Sequence, residues 1–254
     1  MIDIEHAKQV LNKYIDKYDI NDEQIKLKKN HIYRVSKLSL KLAFCLNLGK
    51  EDVCLAELIG LLHDVGRFEQ IRRYHTFIDK DSVNHGELGC EILFKDGLIR
   101  DFLDDDKYDQ VIKNAILNHN RPSIDPNTSG KSLLHSKIIR DADKTDILYL
   151  SSIQENLDVI FGEKLFDEKI SDEVYNGFIN SGRINYNNLQ TGADVVLCHL
   201  AYVFDYNFAE LLAHIEENGY IDKLYDMVSF RDEESNKRLE KCYLKAKKYI
   251  KTRV

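Results

Sequence analysis

Apolar residues recur at helical spacing along most of this chain. Ile4, Ala7, Leu11 and Ile15 share one face of a predicted helix over 4–18. A second helix is predicted over 29–47 and a third over 50–65, closed by Gly66, a residue type that commonly stops helices. The stretch 67–84, RFEQIRRYHTFIDKDSVN, mixes charges and aromatics without a clean period and predicts a loop or a short broken helix. Helices resume over 85–95, 107–119 and 131–150, and NRPSIDPNTSG at 120–130 is the clearest loop. Beyond 150 the pattern stays helical. DVVLCHLAYVF at 194–204 is apolar nearly all round, as a buried helix would be. At the end, Leu239, Cys242, Tyr243, Ala246, Tyr249 and Ile250 trace the inner face of an amphipathic covering helix.

Composition strengthens the helical reading. Only two prolines, Pro122 and Pro126, and 12 glycines interrupt 254 residues. With no repeat, low-complexity tract or linker, the expectation is a single all-α domain over 1–254, its core at about 28–150 and a helical extension over 151–254. The net charge of −7 argues against a general duplex binder but leaves room for a small phosphorylated ligand in a local basic pocket. Five scattered cysteines (Cys45, Cys54, Cys90, Cys198, Cys242) form no C-x-x-C pair, which argues against a disulfide scaffold or a thiolate zinc site. The N-terminus lacks the apolar stretch of a signal peptide, and no apolar run approaches the roughly 18 residues of a membrane span. A cytoplasmic location is expected.

The candidate chemistry lies in histidines and aspartates at inward-facing positions. His63-Asp64 ends the apolar segment LIGLLHDVGR. His31 heads the stripe Val35, Leu38, Leu42, Cys45; His119 follows Tyr108, Val111, Ile112, Ala115 and Ile116; Asp143 sits among Ile139, Ala142, Ile147 and Leu150. His85 heads HGELGCEIL. A buried carboxylate or imidazole needs a partner. One divalent cation can serve several at once, since it accepts neutral imidazole and carboxylate together.

The series His31, His63-Asp64, Asp143 resembles the H…HD…D signature of the HD-domain superfamily of metal-dependent phosphohydrolases. The surrounding segments NHIYRVSKLSLKLA, LLHDVGRF and IIRDADKTDIL fit as well, and the likeness covers roughly 28–150. It implies an all-α HD-domain bundle that holds metal between its helices. At RDADKTD, the likeness selects Asp143 as last ligand, with Asp141 the second choice. His85 and His119 resemble the additional histidines of binuclear members, so one or two ions (manganese, iron, cobalt, nickel, zinc or magnesium) are expected. Asn-Arg-Pro-Ser follows His119 where the cyclic-dinucleotide branch has its GYP signature, which argues against that substrate.

By the same resemblance, a metal-activated water attacks a phosphate ester or anhydride of a nucleotide, with Asp64 orienting it. Arg67 and Lys144 are the cations expected at the phosphate, with Arg34 and His75 as further substrate contacts. Arg72 and Arg73 are weaker candidates. His6, His135, His199 and His214 read as structural or surface residues. Two other classes use the same segment: a non-catalytic HD ligand-sensing module, and a di-iron HD-type oxygenase. A guanosine-tetraphosphate hydrolase fits less well, since Asp79-Lys80-Asp81 poorly matches the acidic pair of that branch. Self-association into a homodimer is left open.

Overall fold

The computed structural model describes residues 2–254, and helices with their connecting turns account for the regular structure among them, with no strand. The all-α expectation holds. The contacts divide the chain into two compact units, Met1–Asp143 and Lys144–Val254.

The first unit contains α1 (Ile4–Ile15), α2 (Glu23–Cys45), α3 (Lys50–Leu62), α4 (Val65–Tyr74), α5 (His85–Cys90), α6 (Ile99–Phe102), α7 (Asp109–His119) and the start of α8 (Gly130–Ser151). Short polar side chains start several of these helices by accepting a first-turn backbone N–H: Asp3 from His6, Asp22 from Gln24, and Asn84 from Glu87. The Asp22 cap starts α2 well before residue 29. Helix α3 is the spine. Val53, Leu55, Ala56, Leu58, Ile59, Leu61 and Leu62 are all buried, and the helix packs against α1, α2 and α7. Its seam with α2 needs Gly60, because a Cβ there would sit 2.5 Å from the Ser36 Cα. The Ser36 hydroxyl donates across the same seam to the Glu57 carbonyl at 3.0 Å.

Three expectations change. The helix over 50–65 ends at Leu62, and Gly66 lies in the first turn of α4 instead of closing a helix. It is there for close approach: a Cβ on Gly66 would lie 2.3 Å from the His85 carbonyl oxygen and 2.6 Å from the Gly89 nitrogen of α5. Second, much of 67–84 is helical. Its apolar period is broken because α4 buries Glu69 and Gln70 beside Phe68 and Ile71. Glu69 is held by Tyr18, Arg72 and Arg73. Third, Cys45 is exposed and Leu38 half-buried; the inner face of α2 runs through His31, Ile32, Val35, Ser36, Ser39, Leu42 and Ala43. A π-helical turn, Glu91–Lys95, extends α5.

The second unit contains the end of α8 and α9 (Leu157–Phe161), α10 (Asp172–Ser181), α11 (Gly192–Ala201), α12 (Ala209–Asn218), α13 (Tyr220–Met227) and α14 (Glu233–Arg253). Helix α11 is its buried core, as the apolar run at 194–204 implies, and packs on α9, α10 and α14. Helix α14 covers α10–α13 with Leu239, Cys242, Ala246 and Ile250 facing inward. No described helix is long and apolar enough to cross a membrane.

Candidate metal centre

Helix ends and helix faces of the first unit bring six side chains together. His31 projects from α2, while His63 and Asp64 form the break between α3 and α4. His85 opens α5, His119 closes α7, and Asp143 lies on α8. The Asp64 backbone, at φ −110° and ψ 16°, leaves helical geometry, so consecutive residues point into one space.

The Asp64 carboxylate divides the cluster in two. Its Oδ2 lies 3.5 Å from His31 Nε2 and 3.7 Å from His63 Nε2. These nitrogens are 3.3 Å apart, and Asp143 Oδ1 lies 3.1 Å and 3.7 Å from them. The other oxygen, Oδ1, lies 3.4 Å from His85 Nε2 and 3.6 Å from His119 Nε2, which are 2.9 Å from each other. Donors on one ion at bonds of ~2.1 Å are about 3.0–3.4 Å apart at octahedral or tetrahedral angles. Both groups are close to that spacing.

Their protonation suits a cation. His63 Nδ1 is 2.9 Å from the Gly60 carbonyl and His119 Nδ1 2.6 Å from that of Ile116. A carbonyl only accepts, so each Nδ1 carries the hydrogen and each neutral ring turns a bare Nε2 inward. Burial pushes His63 below its ordinary value and His85 down to about 3, keeping both neutral. Burial alone would raise the Asp64 carboxyl, but the Lys28 ammonium holds it well below the usual carboxylate range. Asp143 is likewise held well below the usual carboxylate range, its burial outweighed by the neighbouring His31 side chain. Neutral imidazoles and ionised carboxylates are the ligand forms of these residues. The buried group is compatible with divalent metal binding.

Several polar residues frame the cluster. Lys28, one helical turn before His31, places its ammonium 2.9 Å from Asp64 Oδ2 and over the Phe77 ring. Arg67 Nη1 donates to Gln70 Oε1 and the Phe77 carbonyl at 2.6 Å and to Asp79 at 3.0 Å, while its Nε lies 3.8 Å from Asp64 Oδ1. Buried Arg140 donates to the carbonyls of Asn118, Arg121 and Pro122, closing the open end of α7 and fixing His119. Asn118 ties down the loop beyond it, accepting from the Asp125 N–H and donating to the Thr128 hydroxyl.

Not every residue singled out in the sequence joins this group. His75 ends α4 in the left-handed conformation and is exposed, with no side-chain hydrogen bond among the described residues. Lys144 begins the second unit, where its ammonium pairs with Asp205. Arg72 and Arg73 are engaged with Glu69. Arg34 is half-buried on α2. His6 contacts the Asp101 carbonyl, His135 binds Asp52, His199 binds Ser151 and His214 binds Asn218. The sequence does not single out Lys28, Gln70 or Asn120, and offers Asp79 only as part of a poor acidic pair; the placement of Lys28 one turn from His31 is a signal for it.

A family model described as HD domain matches residues 29–148, a span that holds all six side chains. Compared with curated proteins and with solved structures, the chain has no significant match. The segment 29–148 is thus an HD domain, the domain of the metal-dependent phosphohydrolase superfamily.

Proposed function

We propose that this protein hydrolyses a phosphate ester or anhydride of a nucleotide, with His31, His63, Asp64 and Asp143 holding one divalent cation and Asp64, His85 and His119 a second. The observation that carries this reading is the division of Asp64, whose two oxygens each face a separate set of inward-turned imidazole nitrogens. Bound cations would supply Lewis acidity that lowers the pKa of water towards ~7 and neutralises phosphate charge. The chain's own contribution is positioning and electrostatics. Asp64, held by Lys28, fixes the common point of the cluster. Lys28 and Arg67, both over the Phe77 ring, provide positive charge beside Asp64 for a phosphorylated ligand. Arg140 keeps His119 in register.

The test is metal content of anaerobically purified protein, beside His119→Ala, with phosphate release from a nucleotide panel under manganese, iron, cobalt or nickel. Two metals per chain, falling to one in the variant, with metal-dependent phosphate release, is the expected result. Absence of both metal and turnover under every ion overturns it in favour of a ligand-sensing module. Oxygen consumption without phosphate release overturns it in favour of an oxygenase.

A further inference from the structure

His85 is held differently from His63 and His119. His63 and His119 each present Nδ1 to a backbone carbonyl of their own helix, three residues back. His85 opens its helix and has no preceding turn to offer one. Its Nδ1 instead faces the Asp79 carboxylate, 2.9 Å from Oδ1 and 2.7 Å from Oδ2. Asp79 lies in the single 3-10 turn Asp79–Asp81 of the loop between α4 and α5.

That carboxylate is itself gripped on both oxygens. Arg67 Nη1 and Gln70 Nε2 each donate to Oδ1 at 3.0 Å, and Asn120 Nδ2 donates to Oδ2 at 3.2 Å. Gln70, fully buried, also donates to the Ser82 hydroxyl and the Val83 carbonyl, so α4 fixes the loop as well as the acid. A carboxylate accepts and cannot donate. Facing it, His85 must carry its hydrogen on Nδ1 and leave Nε2 bare towards Asp64 Oδ1 and His119.

From this geometry we infer that Asp79 is a positioning residue for the second cation alone: it sets the His85 tautomer and thereby makes the Asp64–His85–His119 position competent. The inference rests on the metal-binding reading above. In Asp79→Asn, Arg67 and Gln70 both require an acceptor where Oδ1 stands, so the amide oxygen goes there and the NH2 turns to the nearer contact of His85 Nδ1, at 2.7 Å, which favours the hydrogen on Nε2, where it blocks the position the ring should ligate. In Asp79→Ala the donor left facing Nδ1 is the Asn120 amide, at 3.3 Å. Either substitution replaces the carboxylate opposite Nδ1 by a donor.

The experiment is titration of the metal-free full-length protein and its variants with Co2+, followed by the visible absorption of the bound ion. The wild type should take up two ions. Asp79→Asn should weaken one of them by about 10–100-fold, the range for lost outer partners of ligating histidines, and leave the other unchanged. Asp79→Ala should weaken the same ion, and His85→Ala should remove it. The inference is overturned, with the metal reading intact, if Asp79→Asn binds both ions as the wild type does, or if both ions weaken together. A wild type that binds one ion, unaltered in His85→Ala, removes the second position and this inference with it. A wild type that takes up no cobalt overturns the metal reading as well. Nitrogen-15 shifts of His85 in the metal-free proteins give a further readout: the hydrogen on Nδ1 in the wild type and on Nε2 in Asp79→Asn.

Discussion

Both units of this protein bury an aspartate and a histidine, and the two burials differ in kind. In the second unit Asp194, fully buried, accepts the backbone N–H groups of Ser171 and Gln190 at 2.8 and 3.1 Å. His199, nearby on α11, shares a hydrogen bond with Ser151 and packs against Phe161 and Tyr202. Acid and donors balance, and nothing more is needed to explain them. In the first unit Asp64 and Asp143 face imidazole nitrogens, two of them fixed as bare acceptors by carbonyls behind them. Lys28 at 2.9 Å and Arg67 at 3.8 Å offer Asp64 charge from the edge of the cluster. A buried acid among donors finishes a fold; a buried acid among acceptors calls for a cation.

The sharpest way to break this contrast is Asp64→Ala. Both ions should be lost and phosphate release should drop by at least about 10³-fold, matching the several kcal/mol that metal catalysis supplies; metal analysis and single-turnover assays read it. Asp194→Ala should do the opposite. It should leave metal content intact and lower unfolding free energy by about 3 kcal/mol, because two backbone donors lose a charged acceptor; urea unfolding measures it. His199 sharpens the comparison through pH. Burial lowers it to about 4, against ~6.5 in the unfolded chain. Between those values the unfolded chain holds the extra proton, so stability falls as pH drops from about 6.5 to about 4 and is level above. His199→Gln should flatten that fall by at most about 3 kcal/mol, seen as a smaller difference between unfolding midpoints at pH 7 and pH 4.5. The smallest effect belongs to an exposed pair in the first unit. Lys107→Ala, which removes a contact to Glu51, should leave the urea unfolding midpoint and metal binding unchanged.

The same contrast explains what the sequence could reveal. His31, His63, Asp64, His119 and Asp143 stood out because polar residues on apolar helical faces are costly, and all lie together in the structure. Lys28 sits in the lysine-rich stretch IKLKKNH, where its charge looks like any solvated one. Asp79 in Asp79-Lys80-Asp81 has the composition of an exposed turn, and only folding brings it to His85. Helix α4 was obscured for a related reason: its inner face carries Glu69 and Gln70, whose partners come from Tyr18 and from the following loop. Gly66 looked like a helix stop because a glycine needed for close packing and one needed for a cap are the same letter. The all-α class was legible throughout. The division inside α8 was not, because the helix runs through it without a break in pattern.

The clamp at the end of α7 bears on how this chain can change. Arg140 holds the carbonyls up to Pro122, and Asn118 holds Asp125 and Thr128 on either side of the exposed tip Pro126–Asn127. His119 is thus anchored separately from the residues at the tip. Extra residues inserted between Pro126 and Asn127 would leave every one of those ties in place and add only the slow growth of loop entropy, about 0.6 kcal/mol for each doubling of length. The loop is therefore a site where descendants of this sequence can acquire new surface without retuning the histidine beside it.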